Sequence, residues 1–128
     1  MGTGLKGNAS YYRNVEQNIL STSSKYDYKD GYFGRKSPHG GSSTRNIASS
    51  DNLGAAIDFY NRLAYGGKEK VHNENMRITT MADGTVITMR KRSTSDGTPV
   101  VDINIEKSRG SGGLKSQKIH FVKGEDKK

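Results

Sequence analysis

Cysteine is absent from the chain, which excludes disulfides and thiolate metal sites and is compatible with both oxidising and reducing compartments. No run of eighteen apolar residues occurs, so no membrane span is expected. The opening MGTGLKGNAS lacks the apolar stretch of a signal peptide and reads as an excision boundary. Apolar residues fill only 30% of 128 positions, enough for one core and not two. Of nineteen Leu, Ile and Val residues, fourteen lie between Leu53 and Val122, which assigns the packed core to the C-terminal part. Acidic residues are also few, 13 against 21 Lys and Arg. The resulting net charge of +8 favours polyanionic partners, nucleic acid first and an acidic protein or anionic membrane second.

Three segments of a single domain follow from these distributions. Residues 1–49 hold a short helix in ASYYRNVEQNIL, with Tyr12, Val15 and Ile19 on one side, then a flexible basic stretch rich in Gly, Ser and Tyr. Residues 50–123 form the core, and residues 124–128 a charged tail. The strongest helix signal is SSDNLGAAIDFYNRLAYGG: cap candidates Ser50 and Asp51, then Leu53, Ala56, Ile57, Tyr60, Leu63 and Ala64 at helical spacing, and Gly66-Gly67 as a stop. MRITTMA and TVITMRKRS flank Asp83-Gly84, a dipeptide suited to a tight hairpin. VVDINIEK and QKIHFVK complete a four-stranded, or slightly larger, antiparallel sheet with helices on one face, an α+β fold.

Strand alternation splits each strand into two faces. If the helix covers Ile87, Met89, Val101, Ile103, Ile105, Ile119 and Phe121, the other face carries Thr88, Arg90, Asp102, Asn104, Lys118 and His120. A one-residue slip would bury the charges, so burial energetics fix the parity. A polar face is ordinary for an antiparallel sheet; the mixture of groups is what suggests chemistry. Arg90 and Lys118 suit a phosphate, His120 supplies an imidazole that can act as acid or base, Asp102 suits an orienting carboxylate, and Thr88 supplies a hydroxyl. Metal-independent RNA cleavage needs these parts: deprotonation of the ribose 2′-hydroxyl, stabilisation of the pentavalent phosphate and protonation of the leaving 5′-oxygen. The expected catalytic set is His120, Arg90, Lys118, Asp102 and Thr88, with Lys91, Arg92, Ser93, Ser95, Asn104 and Arg45 as substrate contacts.

The run of segments from the helix ending AYGG through T-x-x-DGT-x-I-T-x-R, S-x-S-x-G-x-P-V-V-D-I-N-I and KIHFV resembles C-terminal toxin domains of bacterial polymorphic toxins, including contact-dependent inhibition and Rhs-type effectors. The resemblance points to the barnase/EndoU/colicin/RelE (BECR) ribonuclease superfamily and covers roughly Gly40 to Lys123. Its specificity lies in the order of segments rather than in any short motif. It implies N-terminal helices on a twisted antiparallel sheet with RNA on the exposed face. It further implies cleavage of tRNA without a metal and a cognate acidic immunity protein. Host factors of the target cell are further possible partners. Delivery would be as part of a larger secreted or cell-surface effector acting in the target-cell cytoplasm. The matching segments contain Arg90, Ser93, Ser95, Asp102 and His120, although the superfamily varies its catalytic residues. Residues 1–39 fall outside the match and are expected to be a remnant of a delivery segment.

Two other readings stay open: a non-catalytic nucleic-acid-binding module using the same face, and an interaction domain of a larger secreted protein. His39 and His72 read as surface residues, and no pair of histidines has metal-ligand spacing on one element, so neither a metal nor a cofactor is expected. GYFGRKSPHGGSSTRN lacks the Walker pattern, so it reads as a linker or as a loop touching RNA through Arg35, Lys36 and Arg45. The tyrosines of KYDYKDGYFGRK suit base stacking or packing, and Tyr32 and Phe33 are expected to pack.

Overall fold

The computed structural model describes residues 14–38, 40–93, 97–105 and 113–124. Its elements in chain order are α1 (Glu16–Ser23), β1 (Tyr28–Lys29), β2 (Tyr32–Phe33), β3 (Arg35–Lys36), β4 (Thr44–Ser49), α2 (Asn52–Leu63), β5 (Lys68–Val71), β6 (Met76–Thr80), β7 (Val86–Arg90), β8 (Val100–Asn104) and β9 (Gln117–Lys123). Among the described residues the fold is α+β, with two helices and a mostly antiparallel sheet. The expected four-strand meander is present as β6-β7-β8-β9, but it lies within a seven-stranded sheet of order β3-β4-β9-β8-β7-β6-β5.

Asp51 starts α2, its Oδ1 accepting the Gly54 N–H at 3.0 Å, which satisfies one of the donors a helix start leaves open. The buried stripe of α2 is Ala56, Phe59, Tyr60 and Leu63. Its centre is Phe59, which the spacing analysis passed over, while Leu53 sits on the rim at 39% exposure. Phe59 makes edge contacts with Tyr26, Phe33 and Phe121 at ring separations of 5.3, 4.9 and 5.5 Å, tying helix, hairpin and last strand together. At the other end, buried Asn18 of α1 donates through Nδ2 to the Leu63 and Tyr65 carbonyls, both at 2.8 Å. The Leu63 carbonyl is an orphan acceptor of the α2 C-terminus and Tyr65 lies just past its C-cap, so α1 acts as a cap as well as a packing partner.

The stretch expected to be a flexible loop is ordered over its described part. β1 and β2 form a hairpin through Asp30-Gly31, and β3 and β4 join the main sheet. Gly34 is required by close approach, because a Cβ there would lie 2.4 Å from the Asn46 carbonyl oxygen. β4 pairs in parallel with β9, Asn46 beside His120 and Ile47 beside Phe121, so the sheet is not purely antiparallel. Only Ile47 in TRNIAS is a large apolar residue, and pairing with the buried β9 makes the segment a strand where its own propensity is weak. At the far edge β5, KEKV, is exposed throughout, its charges suited to an unpaired edge. The β6–β7 connection is also longer than a two-residue turn. Met81 and Thr85 bond across it, and Ala82, Asp83 and Gly84 form the loop, with Gly84 at φ +90°.

Candidate active face

The alternation of β7, β8 and β9 places the two rows as the sequence implied. Ile87, Met89, Val101, Ile103, Ile119 and Phe121 are buried beneath the helices. Register then fixes the neighbours on the open face. Thr88 is opposite Asp102, and Asp102 is opposite Lys118. One row along, Arg90 is opposite Val100, and Val100 is opposite His120. Asp102 is therefore a hub, with Thr88 and Lys118 beside it and Arg90 and His120 on its diagonals, within reach of long side chains.

The contacts bear out a hub. Arg90 donates from its guanidinium to Asp102 Oδ2 at 3.2 Å, with both side chains one-third exposed. Burial holds the Asp102 carboxyl above its usual range, and the charges of Lys118, Arg90 and His120 pull against that without overcoming it. One carboxylate among three basic side chains makes a face suited to an anion. Beside it, Ser43, Thr88, Asp102, Asn104, Ser116 and Lys118 line a shallow depression of about 370 Å³.

His120 has a partner that strand parity could not supply. Thr98 Oγ1 lies 3.0 Å from His120 Nδ1, a hydrogen bond that fixes the plane of the imidazole. Thr98 is held by the turn after β7, where its carbonyl accepts the Ser93 N–H at 2.8 Å. The neighbouring Pro99 carbonyl accepts the Phe121 N–H at 2.9 Å.

The remaining sequence candidates divide. Asn104 is exposed at the end of β8, opposite Val86. Lys91 and Arg92 are exposed just after β7, and Asn75 grips the Arg92 backbone through N–H and C=O bonds of 3.0 and 3.2 Å. Ser93 is buried and shapes the turn rather than the face. Ser95 and His39 lie outside the described residues, and His72 is exposed after β5. Arg45 is not on this face. It pairs with Ile119 on the helix side, and its guanidinium donates to the Phe33, Gly34 and Ser42 carbonyls and stacks 4.9 Å from the Tyr32 ring. Its charge is used to fasten the β1–β2 hairpin, a role no local pattern announces.

The wider sheet extends these rows to Asn46 and Lys70, which the sequence did not assign, and to Arg35, one of the RNA contacts of its loop reading. Register continues the His120 row through Asn46 to Arg35, and the Asp102 row through Thr88 and Ile78 to Lys70. Among the described residues no group of His, Asp or Glu has the grouping of a metal site, and no helix is long and apolar enough to cross a membrane. No family model matches the chain, nor does any curated protein or solved structure.

Proposed function

We propose that this face is the active surface of an endoribonuclease of the bacterial toxin kind, with RNA, tRNA foremost, as substrate. The observation that carries the reading is the cluster on one open face: Arg90 and Lys118 around Asp102, with His120 one row away and oriented by Thr98. Val100, which separates Arg90 from His120, is fully buried, so a phosphodiester would lie above the row between Arg90 on one side and His120 on the other, two strands apart, about 10 Å between backbones. Arg90 and Lys118 hold the non-bridging oxygens, and Asp102 keeps both cations in place. His120 moves a proton at the 2′-hydroxyl or at the leaving 5′-oxygen. Attack of the 2′-oxygen on phosphorus breaks the P–O5′ bond and leaves a 2′,3′-cyclic phosphate and a 5′-hydroxyl. Thr88 donates a hydrogen bond to the phosphate, and Lys91 and Arg92 meet the neighbouring backbone.

The BECR resemblance supports the same reading through the order of its segments. It extends the proposal to an acidic immunity protein covering the face and to delivery within a larger effector. Purified protein should cut total RNA in EDTA, and His120→Ala should lower the rate at least a hundredfold, the usual scale of general acid–base catalysis. RNA bound but left intact, with affinity falling steeply as salt rises, would assign a binding module instead. RNA neither bound nor cut would refute both.

A further inference from the structure

The His120 row does not end at the strand that carries it. Asn46 stands beside His120, and Arg35 stands opposite Asn46, so Arg90, His120 and Arg35 recur at every second strand along one row. Arg35 is exposed, and among the described residues no hydrogen bond or ion pair engages its guanidinium. β3 covers β4 only as far as Asn46. Beyond that point the outer edge of β4 is open and forms one wall of a groove of about 660 Å³ that also takes in Arg35, Val122, Tyr26 and the first turn of α2.

Backbone parity shows what the open edge offers. The Ser43 and Ser49 carbonyls accept bonds from Lys118 and Gly124 on the β9 side, whereas the Thr44 carbonyl accepts from Ser37 on the β3 side. Carbonyls alternate along a strand, so the N–H and C=O of Ala48 both point outward, into the groove. A donor and an acceptor side by side match the edge of a nucleobase. The charges of the groove also favour a phosphate near Arg35. Asp51 caps α2, and Asp58 is held by Lys25, Arg62 and the Tyr26 hydroxyl. Asp27 alone among these acids has neither an ion pair nor a side-chain hydrogen bond among the described residues, against Arg35 and Lys36.

We infer that this groove is a nucleotide subsite for single-stranded RNA adjoining the scissile phosphate, in which Ala48 reads a base edge and Arg35 holds the next phosphate. The inference rests on the ribonuclease reading of the open face. On it, the depression around Asn104 and the groove at Ala48 lie on opposite sides of the His120 row, so the substrate strand runs across the row with a nucleotide on each side.

Arg35→Gln and Arg35→Lys, with a short single-stranded RNA and its 2′-O-methyl analogue, test this. Arg35→Gln should raise KM about tenfold and leave the saturated single-turnover rate within about twofold, as expected for a contact made equally in ground and transition states. The salt slope of analogue binding should fall by about 0.7, one phosphate on a single strand, and Arg35→Lys should restore it. Hydrogen exchange at the Ala48 N–H should slow when the analogue binds. Unchanged slope and unchanged Ala48 exchange, with binding and cutting otherwise intact, would overturn the subsite alone. The same null result with Ala48 protected by an added extended peptide would assign the open edge to strand addition. A wild-type protein that neither binds nor cuts RNA would overturn the parent reading together with the subsite.

Discussion

Replacing Gln117 by leucine should destabilise the fold without touching any group on the open face. Gln117 is 4% exposed on the helix side of β9, at the start of the strand and next to Ile119 in the buried row, in a strand that also carries Lys118 and His120. Its Oε1 accepts the Phe33 N–H at 2.8 Å, and its Nε2 donates to the Gly31 and Lys115 carbonyls at 2.9 and 2.6 Å. One amide thus closes the β1–β2 hairpin onto the last strand. Leucine has a similar size but no polar atoms, so the Phe33 N–H loses its buried partner, while the Gly31 carbonyl keeps the Lys115 N–H at 3.0 Å and the partly buried Lys115 carbonyl keeps access to water. One orphaned donor costs about 1–3 kcal/mol and the two other lost hydrogen bonds about 0.5–1.5 kcal/mol each, about 2–6 kcal/mol together. Burial of the leucine side chain returns about 1.5–3 kcal/mol. The expected net loss is about 2 kcal/mol, a large share of the roughly 5–15 kcal/mol that holds a domain of this size. Urea unfolding would read it as a lower midpoint at constant slope. Amide exchange at Phe33 should accelerate in parallel. A variant as stable as the wild type, with Phe33 equally protected, would refute the claim that this amide fastens the hairpin.

Other expectations follow from buried or paired groups. Burial pushes the Tyr60 phenol up to about 12, with the hydrogen bond to Glu69 adding and that to Thr79 opposing. Its share of stability is complete below pH 10 and disappears as pH rises toward 12, about 2–3 kcal/mol at most, and Tyr60→Phe should flatten that alkaline slope in pH-dependent unfolding. Asp102 is also held upward by burial, so its favourable share is complete below the ordinary carboxylate range and is lost as pH rises through the raised value. Asp102→Asn should therefore be at least as stable as the wild type at neutral pH, with a flatter acid-side profile, while cleavage falls; a clear loss of stability at neutral pH would contradict this. Thr98→Val should slow cleavage about ten- to a hundredfold with RNA affinity unchanged, and Thr98→Ser should restore it, because the hydroxyl orients His120. Asp51→Ala should lower stability by about 1 kcal/mol in urea unfolding through loss of the α2 cap.

Local periodicity and burial made part of this fold legible in the amino-acid order. Period-two alternation in VVDIN and QKIHFVK separated Asp102, Lys118 and His120 from the core, because any other phase would bury charge. Helical spacing and an aspartate cap located α2 within a residue or two. The tertiary structure alone decided what depends on partners distant in the chain. TRNIAS is a strand because β9 lies beside it in parallel, a pairing across some seventy residues that leaves no local signature. That pairing brings Asn46 to His120, extends the row to Arg35 and leaves Ala48 on an open edge. The same distance rule removed Arg45 from the candidate site. A guanidinium near basic loop residues looks like an RNA contact in sequence, yet three backbone carbonyls of the folded chain hold it on the other face. Thr98 shows the converse, since a threonine before a proline carries no signal until the turn sets its hydroxyl 3.0 Å from the imidazole. Periodicity reports which side of a strand a residue occupies, but only the pairing of strands reports whom it meets there.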